Sequence, residues 1–445
     1  MDIKSQETIF GLLPKTWKIV KFKDILKLKN DKSTDNSIQM YSITNNGIFP
    51  RDEKFNKQLA GKNSKFKLIH KNNLIFGMSR EILNWGIMKK DVGGVSSAYT
   101  VYEVDSSINI KYLEYFIGNW NKYFKDIIKP ASREGQGIEK DMLMTKIMYV
   151  PPNEDLTKMF EIIDSINKKI EINNKINNNL LGISKVIYRR WFVDYNFPDD
   201  NNKPYKINGG KFYQKDMEQI PTNWEIKTLN QISKDIVCGK TPSTKKEEYY
   251  SENIDDTKFI TIPDMHNNVF VVKTDRYLSE KGKNSQKKKT IPPNSICVSC
   301  IATSGLSILT MDYAQTNQQI NSIIPKEDVS SYYVYLTMQN MSEYIEMLGS
   351  GGSTTNNLNK TQFSKIKILV PEAKILSQFH EIVEPLFMKI KENQIEIENL
   401  TKLRDTLLPK LMSGDIDVSD INFDFYNHTI PNYTHILYIC NFFVC

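Results

Sequence analysis

Two stretches of the chain carry apolar residues at spacings that alternate between four and three. In the later stretch the seam runs through Phe379, Val383, Leu386, Ile390, Asn393, Ile397, Leu400, Arg404 and Leu407, apolar except at Asn393 and Arg404. That spacing is a heptad seam. The same phase runs 220 residues earlier through Met159, Ile163, Ile166, Ile170, Asn173, Asn177, Leu180, Ser184 and Ile187. Each stretch predicts a long charged helix of roughly 35 residues, or roughly 50 Å at 1.5 Å per residue. The apolar stripe is narrow, which suits a helical partner better than a broad globular core. Asn393 falls on Asn173, and a polar residue at a seam position costs stability but sets register. Pro385 lies inside the second pattern and predicts a kink or a late start.

Ahead of each helix the pattern changes to short strand-like runs. Lys67–Ile69, Asn73–Phe76 and Tyr99–Tyr102 read as strands, and so do Lys258–Ile262, Ser295–Val298 and Ile320–Ile324. Helices are predicted over Ile110–Phe124 and Val329–Met347, each followed by a polar glycine-containing loop. The borders of these regions repeat. Leu13-Pro14-Lys15-Thr16-Trp17-Lys18-Ile19 returns 207 residues later as Ile220-Pro221-Thr222-Asn223-Trp224-Glu225-Ile226. Ile138-Glu139-Lys140 and Leu143 lead to Met148, Val150 and Pro151, as Leu358-Asn359-Lys360 and Phe363 lead to Ile368, Val370 and Pro371, 220 residues on. The chain is two copies of one α+β module, each ending in a long helix.

Composition narrows the class. The 445 residues exceed one ordinary domain, and 40% hydrophobic content supports buried cores. A net charge of +7 only tilts the balance toward an anionic partner. Five unevenly spread cysteines form no disulfide framework and suit a reducing, cytoplasmic compartment. Cys297 and Cys300 make one C-x-x-C with no second ligand pair, which reads as buried small residues rather than a metal site. The first residues lack the apolar core of a signal peptide, and no run approaches the roughly 20 apolar residues of a membrane span.

Catalytic patterns fail one by one. Cys238-Gly239-Lys240-Thr241 ends like a phosphate-binding loop, but Lys234 stands where the first glycine belongs. Asp199 with Glu225 and Lys227 fits a metal-nuclease pattern only loosely, and Glu225 is already explained as the repeat counterpart of Lys18. The chain has no methyltransferase Asn-Pro-Pro-aromatic motif. No catalytic residue and no metal site is expected. A fused or stand-alone methyltransferase or nuclease, and a non-catalytic coiled-coil adaptor, are the alternatives to a recognition protein.

The ordered set of two Pro-x-x-Trp starts, two Val-Pro junctions and two long helices resembles the specificity subunit of type I restriction–modification systems. Arg189-Arg190-Trp191-Phe192-Val193-Asp194-Tyr195 is similar to the segment that closes the central helix in that family. Leu403 to Asp417, through Leu408-Pro409-Lys410-Leu411-Met412-Ser413-Gly414-Asp415, is similar to its usual ending. The resemblance implies two tandem α+β target-recognition domains separated by two long helices that form an antiparallel coiled coil. The divisions expected are 10–152 and 215–371 for the recognition domains, 153–195 and 372–415 for the helical regions, 196–214 for a linker, and 416–445 for an atypical tail. The seam residues expected to pair are Ile163, Ile166, Ile170, Asn173 and Leu180 with Val383, Leu386, Ile390, Asn393, Ile397 and Leu400.

The same resemblance implies a bipartite, asymmetric double-stranded DNA target with one half-site per domain. The helices set the spacer and dock two methyltransferase subunits, and restriction subunits complete the deoxyribonuclease and adenine methyltransferase complex. S-adenosylmethionine, ATP and magnesium belong to those partners; no cofactor is expected in this chain. The modules diverge in their middles, where readers of base edges belong. The candidates are Arg80, Asn84, Lys89, Lys90 and Arg133 in the first module, and Thr303, Asn317, Gln318, Gln319 and Asn321 in the second. Lys287, Lys288 and Lys289 are the phosphate candidates.

Overall fold

The structure is a computed structural model. It describes residues 5–45, 47–51, 65–79, 82–128, 137–215, 218–301, 304–349 and 358–419. Its contacts divide the chain into two compact units, residues 1–166 with 403–445 and residues 167–402.

In the first unit a tight turn, closed by the Trp17 N–H donating to the Pro14 carbonyl at 3.1 Å, feeds the strand Lys18–Lys21. That strand pairs antiparallel with Ile147–Val150, Lys18 opposite Val150. Strands Trp85–Ile87, Leu74–Phe76, Thr100–Val104 and Leu26–Lys29 form a four-stranded antiparallel sheet in that order. A three-stranded sheet, Val92–Val95, Phe66–His70 and Lys32–Ser33, and two antiparallel pairs, Ser5–Thr8 with Gly11–Pro14 and Tyr41–Thr44 with Gly47–Pro50, make up the other described strands. The helix Ile110–Asn119 is capped by the Asn109 side chain, which accepts from the Lys111 and Tyr112 amides. It stops at Trp120, where the backbone leaves helical angles, and a 3-10 turn continues over Asn121–Ile127. The single helix expected over Ile110–Phe124 is therefore two pieces.

The second unit repeats this plan. Trp224 N–H donates to Pro221 O at 3.1 Å, and Glu225–Thr228 pairs with Lys367–Val370, Glu225 opposite Val370. The sheet Ser307–Thr310, Ile296–Ser299, Ile320–Pro325 and Ser233–Cys238 matches the first sheet strand for strand and gains a fifth, parallel strand, Phe270–Val271. The hydroxyls of Tyr112 and Tyr333 occupy equivalent places and donate to the ladder carbonyls of Tyr149 and Leu369. The helix expected over Val329–Met347 is also divided, into Ser331–Asn340 and Ser342–Gly349.

Each closing ladder leads through proline into a long helix, Asn153–Tyr188 and Ala373–Met412. The second runs on through Pro385, which lies on an exposed face, while Val383 and Phe387 on either side are fully buried. Packing of those neighbours outweighs the one backbone hydrogen bond that proline removes, so the helix does not start late: it begins at Ala373 and is continuous through Pro385. The seam positions are the covered ones. Met159, Ile163, Ile166, Asn173, Asn177 and Ser184 are buried on the first helix, as are Phe379, Val383, Ile390, Asn393, Leu400 and Leu407 on the second. Ile170, Leu180, Leu386 and Ile397 are half-buried.

Within the second unit the helices run antiparallel. The Asn393 amide donates to Asn177 Oδ1 at 2.8 Å, and four residues earlier on the first helix the Asn173 amide donates to Glu396 Oε2 at 2.8 Å. Lys169 reaches the same carboxylate at 3.3 Å. The first helix ends in a π-turn, Arg189–Val193, that buries Trp191 and Phe192. Phe192 lies edge-on to Tyr333 and Phe379, and Trp224 stacks on Phe197 with centroids 4.9 Å apart. The basic-Trp-Phe-Val-Asp segment is thus an aromatic plug seating the helix end on the second module.

Asn393→Ala leaves a buried carboxamide on Asn177 without its donor and is expected to cost ~1–3 kcal/mol. Asn177→Leu combined with Asn393→Leu is expected to lie within ~1 kcal/mol of the parent. Urea unfolding of the full chain checks both; a double variant less stable than the single one contradicts the account.

Candidate nucleic-acid interface

Three segments of the second module meet at one surface. The first is the turn Asn317-Gln318-Gln319 between the strands Ala314–Thr316 and Ile320–Pro325. Its shape is set locally: Asn317 Oδ1 accepts from the Gln319 amide at 3.1 Å, and the Ile320 N–H donates to Asn317 O at 3.3 Å. The second segment is Cys238–Thr241. Gly239 N–H donates to Ile320 O at 3.1 Å and Lys240 N–H to Thr316 O at 2.9 Å. A Cβ on Gly239 would stand 2.1 Å from Asn317 O and 2.2 Å from Thr316 Oγ1, so this approach requires glycine. The third segment spans Lys283–Thr290. Fully buried Gln315 donates to Lys283 O at 3.0 Å and Thr290 Oγ1 at 2.9 Å, and accepts from Gln286 Nε2 at 2.8 Å. Gln286 also donates to Lys240 O at 2.8 Å.

This knitting presents an exposed carboxamide among ammonium groups. Gln318 is exposed, and its Oε1 accepts from Thr241 Oγ1 at 2.7 Å. Lys240, Lys245, Lys246, Lys287 and Lys288 are exposed on the flanking segments. Lys289 turns inward instead and donates to Cys238 O at 2.9 Å, binding two of the segments together. Glu280 pairs with Lys283 at 3.3 Å, so the patch is not uniformly basic. Such a surface has the chemistry of a DNA reader, with lysines for phosphates and a carboxamide for an adenine edge.

The structure thus brings together five of the sequence candidates: Lys287, Lys288, Asn317, Gln318 and Gln319. Lys289 joins them as a brace. Asn321 is corrected: it is 2% exposed inside the sheet, its amide directed at Cys300 Sγ and Leu358 O, and it cannot meet a base edge from there. Thr303, Arg80 and Arg133 lie outside the described residues. In the first module the Asn84 amide donates to Met78 O at 2.6 Å, closing a loop. Lys89 pairs with Glu114 at 3.0 Å, and Lys89 and Lys90 line a 510 Å³ cleft with Tyr41, Phe49 and Trp85. Sequence reasoning passed over Lys240 and Thr241. Their signal was the Gly-Lys-Thr run set aside as an incomplete phosphate loop.

The residues tested for chemistry have other work. Asp199 accepts from the Asn201 and Lys203 amides and from Asn208, which builds a turn and holds its carboxyl below the usual range. Glu225 pairs with Lys227 at 2.7 Å at the edge of the closing ladder. Cys297 and Cys300 are buried in the sheet, and burial pushes their thiols up to about 12 and about 11. Among the described residues no group of three or more His, Cys, Asp or Glu is placed to hold a metal ion. No described helix is long and apolar enough to cross a membrane.

Two modules of one plan, a braced polar surface and a pair of seam helices describe a two-module recognition protein. Residues 221–403 match the family model of the type I restriction modification DNA specificity domain. The chain is 34% identical over 377 residues to the type I restriction enzyme HindI specificity subunit of Haemophilus influenzae, covering 72% of this chain and 81% of that protein. It is 24% identical over 444 residues to the MjaIX specificity subunit of Methanocaldococcus jannaschii, covering 94% and 98%. A solved type I restriction-modification S subunit from M. genitalium aligns at 15% identity with TM-score 0.48, covering 89% of this chain and 96% of that one. The chain belongs to the family of type I restriction enzyme specificity subunits.

Gly239→Ala is expected to push the Asn317–Gln319 turn out of place and to lower stability by ~1–3 kcal/mol, as overpacking does. Thermal unfolding together with amide exchange at Gln318 and Gln319 checks this; unchanged exchange in the variant contradicts the close approach. Iodoacetamide at pH 8 is expected to modify Cys238 in the folded chain and to reach Cys297 and Cys300 only in denaturant, as read by peptide mass spectrometry.

Proposed function

We propose that this chain directs a type I complex to a bipartite, asymmetric DNA site, reading one half-site with each module. In this reading the second module uses the Asn317–Gln319 turn. The observation that carries it is the exposed Gln318 carboxamide, oriented by Thr241 and flanked by Lys240, Lys287 and Lys288. A carboxamide pairs in bidentate fashion with the N6 and N7 edge of adenine, and ammonium groups neutralise phosphates without reading sequence. The fixed turn makes the carboxamide a preorganised reader, because the backbone does not reorganise on contact.

The division of labour follows from what the chain carries. Its seam helices offer long charged outer faces for two methyltransferase subunits, and restriction subunits join through them. Methyl transfer from S-adenosylmethionine, and cleavage driven by ATP with magnesium, fall to those partners. A methyltransferase or nuclease acting alone is not favoured, since Asp199, Glu225 and Lys227 are occupied in a turn and at a ladder edge.

The test uses the full chain with its methyltransferase partner. Replacing both Lys287 and Lys288 by Ala is expected to weaken binding to all sequences alike and to reduce the log–log salt slope by ~0.9 for each phosphate no longer neutralised. Gln318→Ala is expected to keep the slope and relax base preference at one position by about ten-fold. Competition binding across salt concentrations separates the two effects. A Gln318 variant with full discrimination overturns the assignment of the turn.

A further inference from the structure

The internal repeat makes it possible to ask which residues of the first module stand where this reading turn stands in the second. The sheet registers give the answer. Lys29 opposite Val101 in the first sheet corresponds to Val237 opposite Ser322 in the second. Following the chain onward from that point places Lys32-Ser33 where Lys240-Thr241 lie. The turns after the preceding strands agree more closely still. Tyr99 N–H donates to Ser96 O at 3.0 Å, as Ile320 N–H donates to Asn317 O at 3.3 Å. The Ala98 N–H donates to Ser96 Oγ at 3.3 Å, as the Gln319 N–H donates to Asn317 Oδ1 at 3.1 Å. One offset of 221 residues relates all four positions. Ser97 therefore stands where Gln318 stands, and it is exposed.

The charge around this turn matches as well. Lys67 is largely buried and donates to Tyr99 O at 2.6 Å, bracing the turn from below much as Lys289 braces Cys238. Its ammonium is held below the usual lysine range by burial first, and then by repulsion from Lys140 and Lys32. Lys32 stands opposite Lys67 in the sheet register, so a second cation lies next to the one that braces the turn. Asp35, the carboxylate just beyond Ser33, is taken up by the Ser37 amide and hydroxyl. A cluster of like charges is relieved when a phosphate arrives.

We infer that the first module reads its half-site with the Ser96–Ala98 turn, Ser97 being the specificity-determining residue beside Ser33 and Lys32, and that Lys89 and Lys90 lie off the reading surface. This rests on the reading proposed for the second module and extends it to a position that sequence inspection did not single out. A hydroxyl both donates and accepts and discriminates among bases less sharply than a carboxamide or guanidinium. The half-site of the first module is therefore the more permissive at the position under Ser97, and installing the second module's residue there sharpens or redirects it.

The experiment maps genomic methylation in cells carrying the full chain and its methyltransferase partner. Four variants are compared: Ser97→Gln, Ser97→Ala, Gln318→Ala, and Lys89→Ala with Lys90→Ala. Ser97→Gln is expected to shift base preference about ten-fold at one position of one half-site and to leave the other half unchanged. Gln318→Ala is expected to change only that other half, and the double lysine variant is expected to keep the parental motif. If both Ser97 variants keep the motif while Gln318→Ala alters it, the equivalence of the turns is wrong and the reading of the second module stands. If Gln318→Ala alone leaves its half intact, the second-module assignment falls and that of Ser97 survives. A changed motif in the double lysine variant, or both serine and glutamine variants altering one half, overturns the inference. Ser97→Ala guards against misfolding, since an exposed turn hydroxyl is removable within ~0.5 kcal/mol.

Discussion

The structure depends on a short antiparallel ladder that closes each module. Lys18–Lys21 meets Ile147–Val150, and Glu225–Thr228 meets Lys367–Val370. In each case the first strand follows the shared tryptophan turn and the second runs directly into a long helix. Four residues of ladder give only a few net hydrogen bonds, each contributing ~1 kcal/mol. A tyrosine hydroxyl on the last ladder carbonyls, from Tyr112 or Tyr333, adds a buried contact that also ties in the module's own helix. The ladder thereby fixes where the chain leaves the module and in which direction the helix starts. The candidate readers lie between its two strands, and the shared tryptophan turn, the Val-Pro junction and the seam helix lie on it or next to it.

This arrangement explains what the sequence disclosed. The seam was legible because a heptad records burial on one face, and a run of nine positions leaves little room for accident. The module borders were legible because the ladder and its turn demand the same residues twice. The proposed readers were legible only in part, Gln318 being among the candidates and Ser97 not, because an exposed position obeys no period. Asn321 shows the failure in physical terms. It sits in a strand whose Ile320, Asn321, Ser322 and Ile323 are all buried, so both faces are covered and alternation no longer separates inside from outside. Pro385 misled for the opposite reason: local propensity argued for a late start, and the helix begins at Ala373 with Val383 and Phe387 buried around the proline.

The polar layer of the seam sharpens what the repeat means. Asn173 and Asn393 occupy the same heptad position, but in an antiparallel pair equal positions meet only at the local two-fold axis. Away from it, Asn393 meets Asn177, and Asn173 meets Glu396 with Lys169 beside it. Asn177, which reads in sequence as a weak point of the seam, is the acceptor that satisfies Asn393. A slip of either helix by one seam step would set Asn177 against Ile390 or Ile397 and leave its carboxamide unpaired. The layer therefore trades stability for a single register.

A fixed register matters only if the proposed readers are themselves fixed, and the two turns have the local hydrogen bonds to do it. In Ser96–Tyr99 and Asn317–Ile320 the first residue of the turn shapes the backbone through its own side chain, and the last closes it through its amide. The second residue, Ser97 or Gln318, contributes to neither and is exposed. Its side chain is free to differ between the copies without a folding penalty, since exposed substitutions away from caps and cores change stability by ~0.5 kcal/mol or less. Shape and identity are thus carried by separate residues of one turn. That separation lets one backbone frame serve two modules whose turn residues have diverged, Ser97 in one and Gln318 in the other, while the shape of the turn stays the same.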